Sequence, residues 1–270
     1  MSAVVPTAEF SSFVYGGRGV AGDDPAEDLH EASRLYPHVA PTRLDSMVAL
    51  ETSAELQQTV ARASRLHPHR PGIDLPRQAH PGVRLRDALR RRRSELPPER
   101  MPLRLVDLGG VLGASYGAAL WQSGAPRRPV PSAGALYPLE LYVVALAVDG
   151  AETAAYHYDP FRHRLERLGR VDESSLAASL VDPSLVTRTS AALVVTSMFW
   201  RARFKYGVRG YRFALLEAGH LVQNVVLVAA ALRLAALPLG GFYDRRLDAL
   251  VGVDGLDEAT VHAVLLGGRP

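Results

Sequence analysis

Hydrophobic residues fall into well-separated blocks along the second two thirds of the chain. Leu139 to Val148 is mostly apolar with several valines and reads as a buried strand. Ala191 to Phe199 and Val261 to Leu266 read the same way, and Ala154–Tyr158 and His163–Leu168 read as a hairpin across the turn Asp159-Pro160. Helical spacing marks Tyr211 to Ala236, where Phe213, Leu216, Leu221 and Val225 recur, and this is the longest helix expected. Leu103 to Tyr116 is a second helical candidate with a glycine interruption at Gly109-Gly110, and Leu85, Ala88 and Leu89 mark a short helix running into Arg90-Arg91-Arg92-Arg93-Ser94.

Residues 1 to about 80 lack such blocks. Proline, glycine and histidine recur there, with one clear start signal, Asp24 before Pro25, for a short helix toward Leu35. His67-Pro68-His69-Arg70-Pro71 reads as a linker. The expected organisation is therefore an irregular extension over 1–80 and a compact domain over 81–270. Helices and strands follow one another without a regular βαβ alternation, which favours an α+β domain over a doubly wound one.

Composition narrows the classes. The chain has 270 residues, 47% hydrophobic and 22% charged, which excludes a mostly disordered chain, a collagen repeat and a coiled coil. Thirty-one basic and 28 acidic side chains leave a net charge of +3, too balanced to point to nucleic acid. The absence of cysteine excludes disulfides, thiolate metal sites and cysteine nucleophiles, and fits the cytoplasm. Met1 to Phe10 carries no basic region followed by an apolar core, so no targeting segment is expected. The longest apolar stretch, Val225 to Leu237, holds Arg233 and stops at Pro238; it reads as core helix and no membrane partner is expected.

Two motif matches fail on context. Gly17, Gly19 and Gly22 have dinucleotide-loop spacing, but Asp23, Asp24 and Pro25 follow and no helix opens at the glycines. Gly113-Ala114-Ser115-Tyr116-Gly117 matches a nucleophile elbow, but no strand precedes it and the segment reads as helical. His67 and His69 are a weak metal signal, and no H-E-x-x-H is present.

Four segments carry more. Eight arginines lie from Arg84 to Arg104, offset only by Asp87, Glu95 and Glu99; they form either a solvated basic face, an RNA-contacting patch or a seat for one phosphate monoester. Pro131-Ser132-Ala133-Gly134-Ala135 is a loop of small residues that either turns into the next strand or admits a flat ligand to its backbone. Pro238-Leu239-Gly240-Gly241-Phe242 either stops a helix or exposes backbone N–H groups. Lys205 is the only lysine in a chain that otherwise uses arginine. Arginine keeps its proton in proteins and lysine can release one, so Lys205 with the adjacent phenol of Tyr206 is a candidate acid/base pair beside the alternative of a chance surface lysine.

Together these segments resemble the SagB-type dehydrogenases, FMN-dependent azoline oxidases of the nitroreductase superfamily. The resemblance covers residues 25–270 and is strongest over 83–268. It is carried by Pro131–Tyr142 (PSAGALYPLELY), Ala155–Pro160 (AYHYDP), Phe199–Arg212 (FWRARFKYGVRGYR), Glu217–Asn224 (EAGHLVQN) and Pro238–Phe242. It implies a nitroreductase-like α+β fold, mostly antiparallel sheet flanked by helices, with FMN at a homodimer interface. It places Arg92, Arg93 and Ser94 on the FMN phosphate and ribityl chain. The family's further basic residue is replaced by Leu96, which shifts weight to other arginines, Arg269 among them. It places Pro131, Ser132, Ala133 and Gly134 along the flavin ring, Leu239, Gly240 and Gly241 at the turn facing flavin N5 and O4, and Lys205-Tyr206 at the azoline.

The implied reaction turns a thiazoline or oxazoline of a ribosomal peptide into the azole. Tyr206, assisted by Lys205, takes the Cα proton, the adjacent ring carbon delivers hydride to the flavin, and dioxygen reoxidises it. The implied partners are an azoline-containing peptide and a YcaO-type cyclodehydratase. A reductase consuming NAD(P)H on nitroaromatics or quinones, a flavin-free scaffold subunit and an RNA-binding module remain as alternatives, in that order.

Overall fold

The computed structural model describes residues 24–37, 48–49, 52–61, 64–77, 82–120 and 126–269. Gly17, Gly19 and Gly22 lie outside them. The chain divides into two units between Thr42 and Arg43. The first contains helix α1 (Pro25–Ala32). Asp24 caps it, its carboxylate accepting the Ala26 N–H at 2.8 Å with Pro25 at the first position, as the Asp-Pro signal predicts.

The second unit is built around a seven-stranded sheet. In chain order its elements are α2 (Ala54–Ala61), β1 (Gly72–Asp74), α3 (Leu85–Arg91), β2 (Leu103–Arg104), α4 (Leu105–Tyr116), β3 (Ala119–Leu120), β4 (Pro126–Arg127), β5 (Leu139–Ala145), β6 (Val148–Asp149), β7 (Ala154–Asp159), β8 (Arg164–Arg170), α5 (Glu173–Ser179), β9 (Ala191–Met198), α6 (Trp200–Tyr206), α7 (Arg209–Leu232), β10 (Ala235–Leu239), α8 (Asp244–Val251) and β11 (Glu258–Gly267). Strand order is β1-β8-β7-β5-β9-β11-β10, and every neighbouring pair is antiparallel. This is the α+β architecture and mostly antiparallel sheet expected.

Strand alternation sorts the two faces. Leu141, Val143, Leu193, Val195 and Val264 pack with Leu108 and Leu112 of α4 and with Leu221 and Val225 of α7. Tyr142, Val144, Val194 and Leu265 face the other way, onto Leu176 of α5 and Leu247 and Val251 of α8. Among the described helices, α7 is the one long and apolar enough to cross a membrane; here its buried residues from Ala218 to Leu232 belong to the first of these clusters.

Three expectations change. The helix predicted to run to Ala236 ends at Leu232, where Arg233 takes a left-handed φ of 59°, and Ala235–Leu239 is the edge strand β10. The linker reading of His67–Pro71 also fails. The Pro71 carbonyl accepts from Arg167 N–H at 2.8 Å, the His67 N–H reaches Glu166 at 3.1 Å, and β1 follows at once, paired to β8. Gly109 does not interrupt α4, since a Cβ there would lie 2.9 Å from the Pro76 carbonyl; it admits a crossing segment. Ser115 of the elbow-like motif lies in the last turn of the same helix and is buried, so no strand–turn–helix elbow forms there.

Candidate functional site

The small-residue loop is strained and tightly stapled. Gly134, Ala135 and Tyr137 all have left-handed φ, at 63°, 55° and 44°. Two of the three are not glycine, a conformation that surrounding structure must hold in place. The Ser132 hydroxyl accepts the Tyr137 N–H at 2.9 Å and bonds the Glu217 carboxyl of α7. The Tyr137 hydroxyl accepts the Arg128 N–H at 3.3 Å, and the Arg128 guanidinium stacks 4.4 Å from the Tyr116 ring and 4.9 Å from the Tyr137 ring. Glu217 is 3% exposed and its Oε1 has no hydrogen-bond partner. Burial pushes its carboxyl up to about 7, against the pull of Ser132 and Arg128.

Helix α6 brings Lys205 and Tyr206 to this loop. A Cβ built on Gly134 would lie 2.7 Å from the Tyr206 hydroxyl and 3.2 Å from Lys205 Nζ. Lys205 Nζ is 5.4 Å from the centre of the Tyr206 ring. Gly207, at φ 55°, ends α6. Gly210 then allows α7 to press on it, because a Cβ there would fall 2.6 Å from the Ala202 carbonyl carbon. That approach sets Phe213 edge-on to Tyr206 at 5.0 Å and stacks Tyr211 on Phe199 at 4.7 Å.

A buried polar chain anchors α6 to the sheet. Arg201 Nη1 donates to Glu140 Oε1 of β5 at 2.6 Å, and His157 of β7 lies between Glu140 Oε2 at 2.9 Å and Glu166 Oε2 of β8 at 3.2 Å. Burial alone would discharge His157, but the two carboxylates reverse this and lift it to about 9. Burial likewise works against the Glu140 carboxylate, while the His157 hydrogen bond and the Arg201 charge hold it at about 2. Next to this chain, Glu258 Oε1 accepts from Tyr142 at 2.7 Å and Thr196 at 2.6 Å, and its Oε2 from Arg65 at 2.6 Å.

The remaining predicted residues gather along β10. Glu95 N–H donates to the Ala236 carbonyl at 3.2 Å, tying Arg92, Arg93 and Ser94 to the strand that ends at Leu239 and opens into Gly240 and Gly241. Arg92 Nη1 lies 3.2 Å from Ser94 Oγ, and Arg93 Nη1 folds onto the carbonyls of Arg90 and Arg92 at 3.0 and 3.1 Å. Nothing stands within 4 Å of a Cβ placed on Gly240, so space is open there. The Gly241 carbonyl accepts the Val181 N–H at 2.9 Å. Arg269 Nη2 lies 3.0 Å from Asp107 Oδ1, which Arg104 also engages.

The structure thus brings Gly134 to Lys205 and Tyr206, ties Ser132 of the same loop to Tyr137 and Glu217, and joins Arg92–Ser94 to the strand before Gly240. Among the described residues, no hydrogen bond, ion pair or ring contact connects the two groups. Sequence reasoning singled out neither Glu217, Arg201 nor Glu140. A charged residue inside each apolar-periodic segment was the available signal for Glu140 in LELYVV and Glu217 on α7.

Comparison with known proteins gives the family. Residues 93–268 match the profile of the Nitroreductase family. A Methanocaldococcus jannaschii protein named as a candidate nitroreductase, MJ1384, is 34% identical over 174 residues, 63% of this chain and 85% of that protein. The microcin B17-processing protein McbC of Escherichia coli is 38% identical over 137 residues, 48% of this chain and 50% of McbC. The trifolitoxin-processing protein TfxB of Rhizobium leguminosarum bv. trifolii is 36% identical over 40% of this chain and 31% of TfxB. The chain therefore spans half or less of the two peptide-processing relatives. In fold, a chain of the E. coli microcin synthetase McbBCD complex with truncated pro-MccB17 bound aligns with TM-score 0.57 at 24% identity, covering 97% of this chain and 92% of that one. A nitroreductase-like structure from Anabaena variabilis aligns with TM-score 0.67 at 20% identity, over 90% of this chain and 47% of its own. With two thirds of its length under one family profile and that fold, the chain belongs to the nitroreductase family.

Proposed function

We propose that the protein is an FMN-dependent dehydrogenase that oxidises azoline rings in a ribosomally made peptide. The observation that carries this reading is the meeting of Lys205 Nζ and Tyr206 OH at Gly134, on a loop whose backbone is held in the left-handed region. A mobile surface lysine would not need that shape around it. The relationship to McbC and TfxB, both peptide-processing proteins, supports the substrate class.

The residues fit the cofactor. Guanidinium and hydroxyl groups within 3.2 Å of each other at Arg92 and Ser94, with Arg93 beside them, form a donor set suited to a phosphate monoester. The strand they are tied to leads to the open space above Gly240. Bound FMN supplies the two-electron acceptor for the oxidation. The protein's own residues would do the rest: Arg92, Arg93 and Ser94 would hold the phosphate, and the Gly240 and Gly241 N–H groups would be donors to the ring. Tyr206 removes the Cα proton of the azoline, and Lys205 holds charge beside it. The azoline loses two electrons and two protons and gains aromaticity.

A homodimer completes the site in this reading. Phe213, in contact with Tyr206, and Ala230, beside Arg91 and Arg93, are both on α7, about 26 Å apart at 1.5 Å per residue. One mononucleotide seated at Arg92–Ser94 does not bridge that span within a chain, and a second copy's loop would close it. A YcaO-type cyclodehydratase is the expected supplier of the cyclised peptide.

Purified protein should show flavin absorption and release FMN. It should convert an azoline peptide to the azole, losing two hydrogens by mass spectrometry, and Lys205→Ala should retain FMN and lose that conversion. Flavin-replete Lys205→Ala protein with full activity would overturn the assignment. The match to MJ1384 over 85% of its length keeps one second reading, an NAD(P)H-dependent reductase of nitro compounds or quinones. Rapid flavin bleaching by NADPH with nitroaromatic turnover, and no azole formation, would favour it.

A further inference from the structure

Arg201 stands one helical turn before Lys205 on α6, so the two side chains leave the same face of the helix. Its guanidinium is buried. Nη1 lies 2.6 Å from Glu140 Oε1 and 3.4 Å from the Tyr137 carbonyl. Glu140 belongs to β5, and Tyr137 closes the loop that carries Gly134. One cation therefore joins the helix, the loop and the sheet whose meeting forms the Lys205–Tyr206–Gly134 cluster.

The seat of this cation is closed by chain upstream of the nitroreductase match. The Arg65 N–H donates to the same Glu140 Oε1 at 2.8 Å, and the His67 N–H donates to Glu166 at 3.1 Å. Arg65 and His67 precede residue 93, where that match begins. A buried ion pair is a weak source of stability, because apolar residues of like volume do as well without desolvating charge. What a guanidinium adds is direction. Here Nη1, held in the rigid guanidinium plane, makes both bonds and limits the angle and the distance at which α6 meets β5.

We propose that Arg201 is a positioning residue for the Lys205–Tyr206 pair, acting through Glu140 and the Tyr137 carbonyl to set that pair against Gly134. The proposal rests on Lys205 and Tyr206 being the reactive pair.

The test uses the full-length, FMN-loaded protein and the variants Arg201→Lys, Arg201→Met and Glu140→Gln/Arg201→Met. Azoline-peptide kinetics are read with FMN affinity and amide exchange over residues 202–206. In Arg201→Met, kcat should fall about 100-fold, the scale of a small misplacement of reacting groups. KM and FMN affinity should change less than about twofold, since substrate and cofactor binding are untouched. Exchange should quicken in α6 but not across the sheet, and Arg201→Lys should recover part of kcat. The double variant removes the carboxylate charge together with the guanidinium and leaves His157 its Glu166 partner, so it should fold and still be slow. A double variant with wild-type kcat would overturn the proposal, showing that the pair serves folding alone. Lys205→Ala separates the two readings. If that variant stays active, the assignment of the reactive pair fails, while local exchange in Arg201→Met still reports whether Arg201 orders α6.

Discussion

The Tyr206 hydroxyl lies 2.7 Å from where a side chain on Gly134 would begin. The phenol has little room to withdraw, since Phe213 meets its ring edge-on at 5.0 Å. Gly134→Ala therefore carries two penalties. A left-handed φ costs a non-glycine residue about 1 kcal/mol, and the new methyl must displace the hydroxyl. Activity should fall by tenfold or more, on the scale set by misplaced reacting groups. The melting temperature should fall by only about 2–4 °C, the shift that 1 kcal/mol brings to a domain of this size. Steady-state kinetics and thermal melting on one preparation check both. Unchanged activity would mean that the loop does not hold Tyr206 during turnover.

Glu217 makes stability depend on pH in an unusual direction for a carboxylate. Its pKa is raised from 4.5 to about 7, chiefly by burial, so the folded protein holds a proton that the unfolded chain releases. The contribution is fully present below pH 4.5 and is lost as pH rises through 7. That difference corresponds to about 3 kcal/mol for this 3%-exposed group. Glu217→Gln keeps an acceptor for Ser132 and cannot ionise. Urea midpoints should fall between pH 5 and pH 8 in the wild type more steeply than in Glu217→Gln. Parallel slopes would show that Glu217 does not titrate in this range.

The parts of the fold that were legible in sequence are those where local chemistry and tertiary structure agree. Asp24-Pro25 is a helix start in both, and the β7–β8 hairpin follows from two apolar runs across Asp159-Pro160. β10 was not legible, because Ala235, Ala236 and Leu237 are good helix formers and Arg233, not glycine, makes the left-handed stop. Only pairing with β11 makes a strand of it. In the site, Lys205-Tyr206 and the loop at Gly134 stood out by composition, and their contact across 71 residues of sequence is visible only in the fold. Arg201 was hidden by its own type in an arginine-rich chain, where nothing distinguishes a buried guanidinium from a solvated one.

His157 gives a second pH signature with a different window. Its two carboxylate partners lift it from 6.5 to about 9 despite burial. A raised histidine stabilises fully below its unfolded pKa and loses that contribution as pH rises to the folded one, here between pH 6.5 and pH 9. Glu140, lowered from 4.5 to about 2, loses its own contribution only in acid, as pH falls through 2. The Glu140–His157 pair is therefore strongest from about pH 4.5 to 6.5, where both are charged. His157→Gln should cost about 3 kcal/mol at pH 6, and much less at pH 10, where the imidazole has lost its charge. Denaturant unfolding of both proteins at the two pH values measures this. An equal cost at both would assign the effect to packing and not to charge.

Arg92 and Ser94 offer a test of cofactor placement that does not depend on turnover. If they hold the FMN phosphate, their contribution belongs to FMN and not to riboflavin, which lacks that group. Removing one charge-assisted hydrogen-bonding partner costs about 1.5–3 kcal/mol, so Arg92→Ala should weaken FMN binding by about 10- to 100-fold. Riboflavin affinity should stay the same in both proteins. The effect of Arg92→Ala should shrink with added salt, since Arg92 is only half-buried and its charge is screened. Fluorescence titration with each flavin at two salt concentrations gives all the numbers needed. Equal loss of FMN and riboflavin would show instead that Arg92 supports the fold near β10, to which the neighbouring Glu95 is bonded, without touching phosphate.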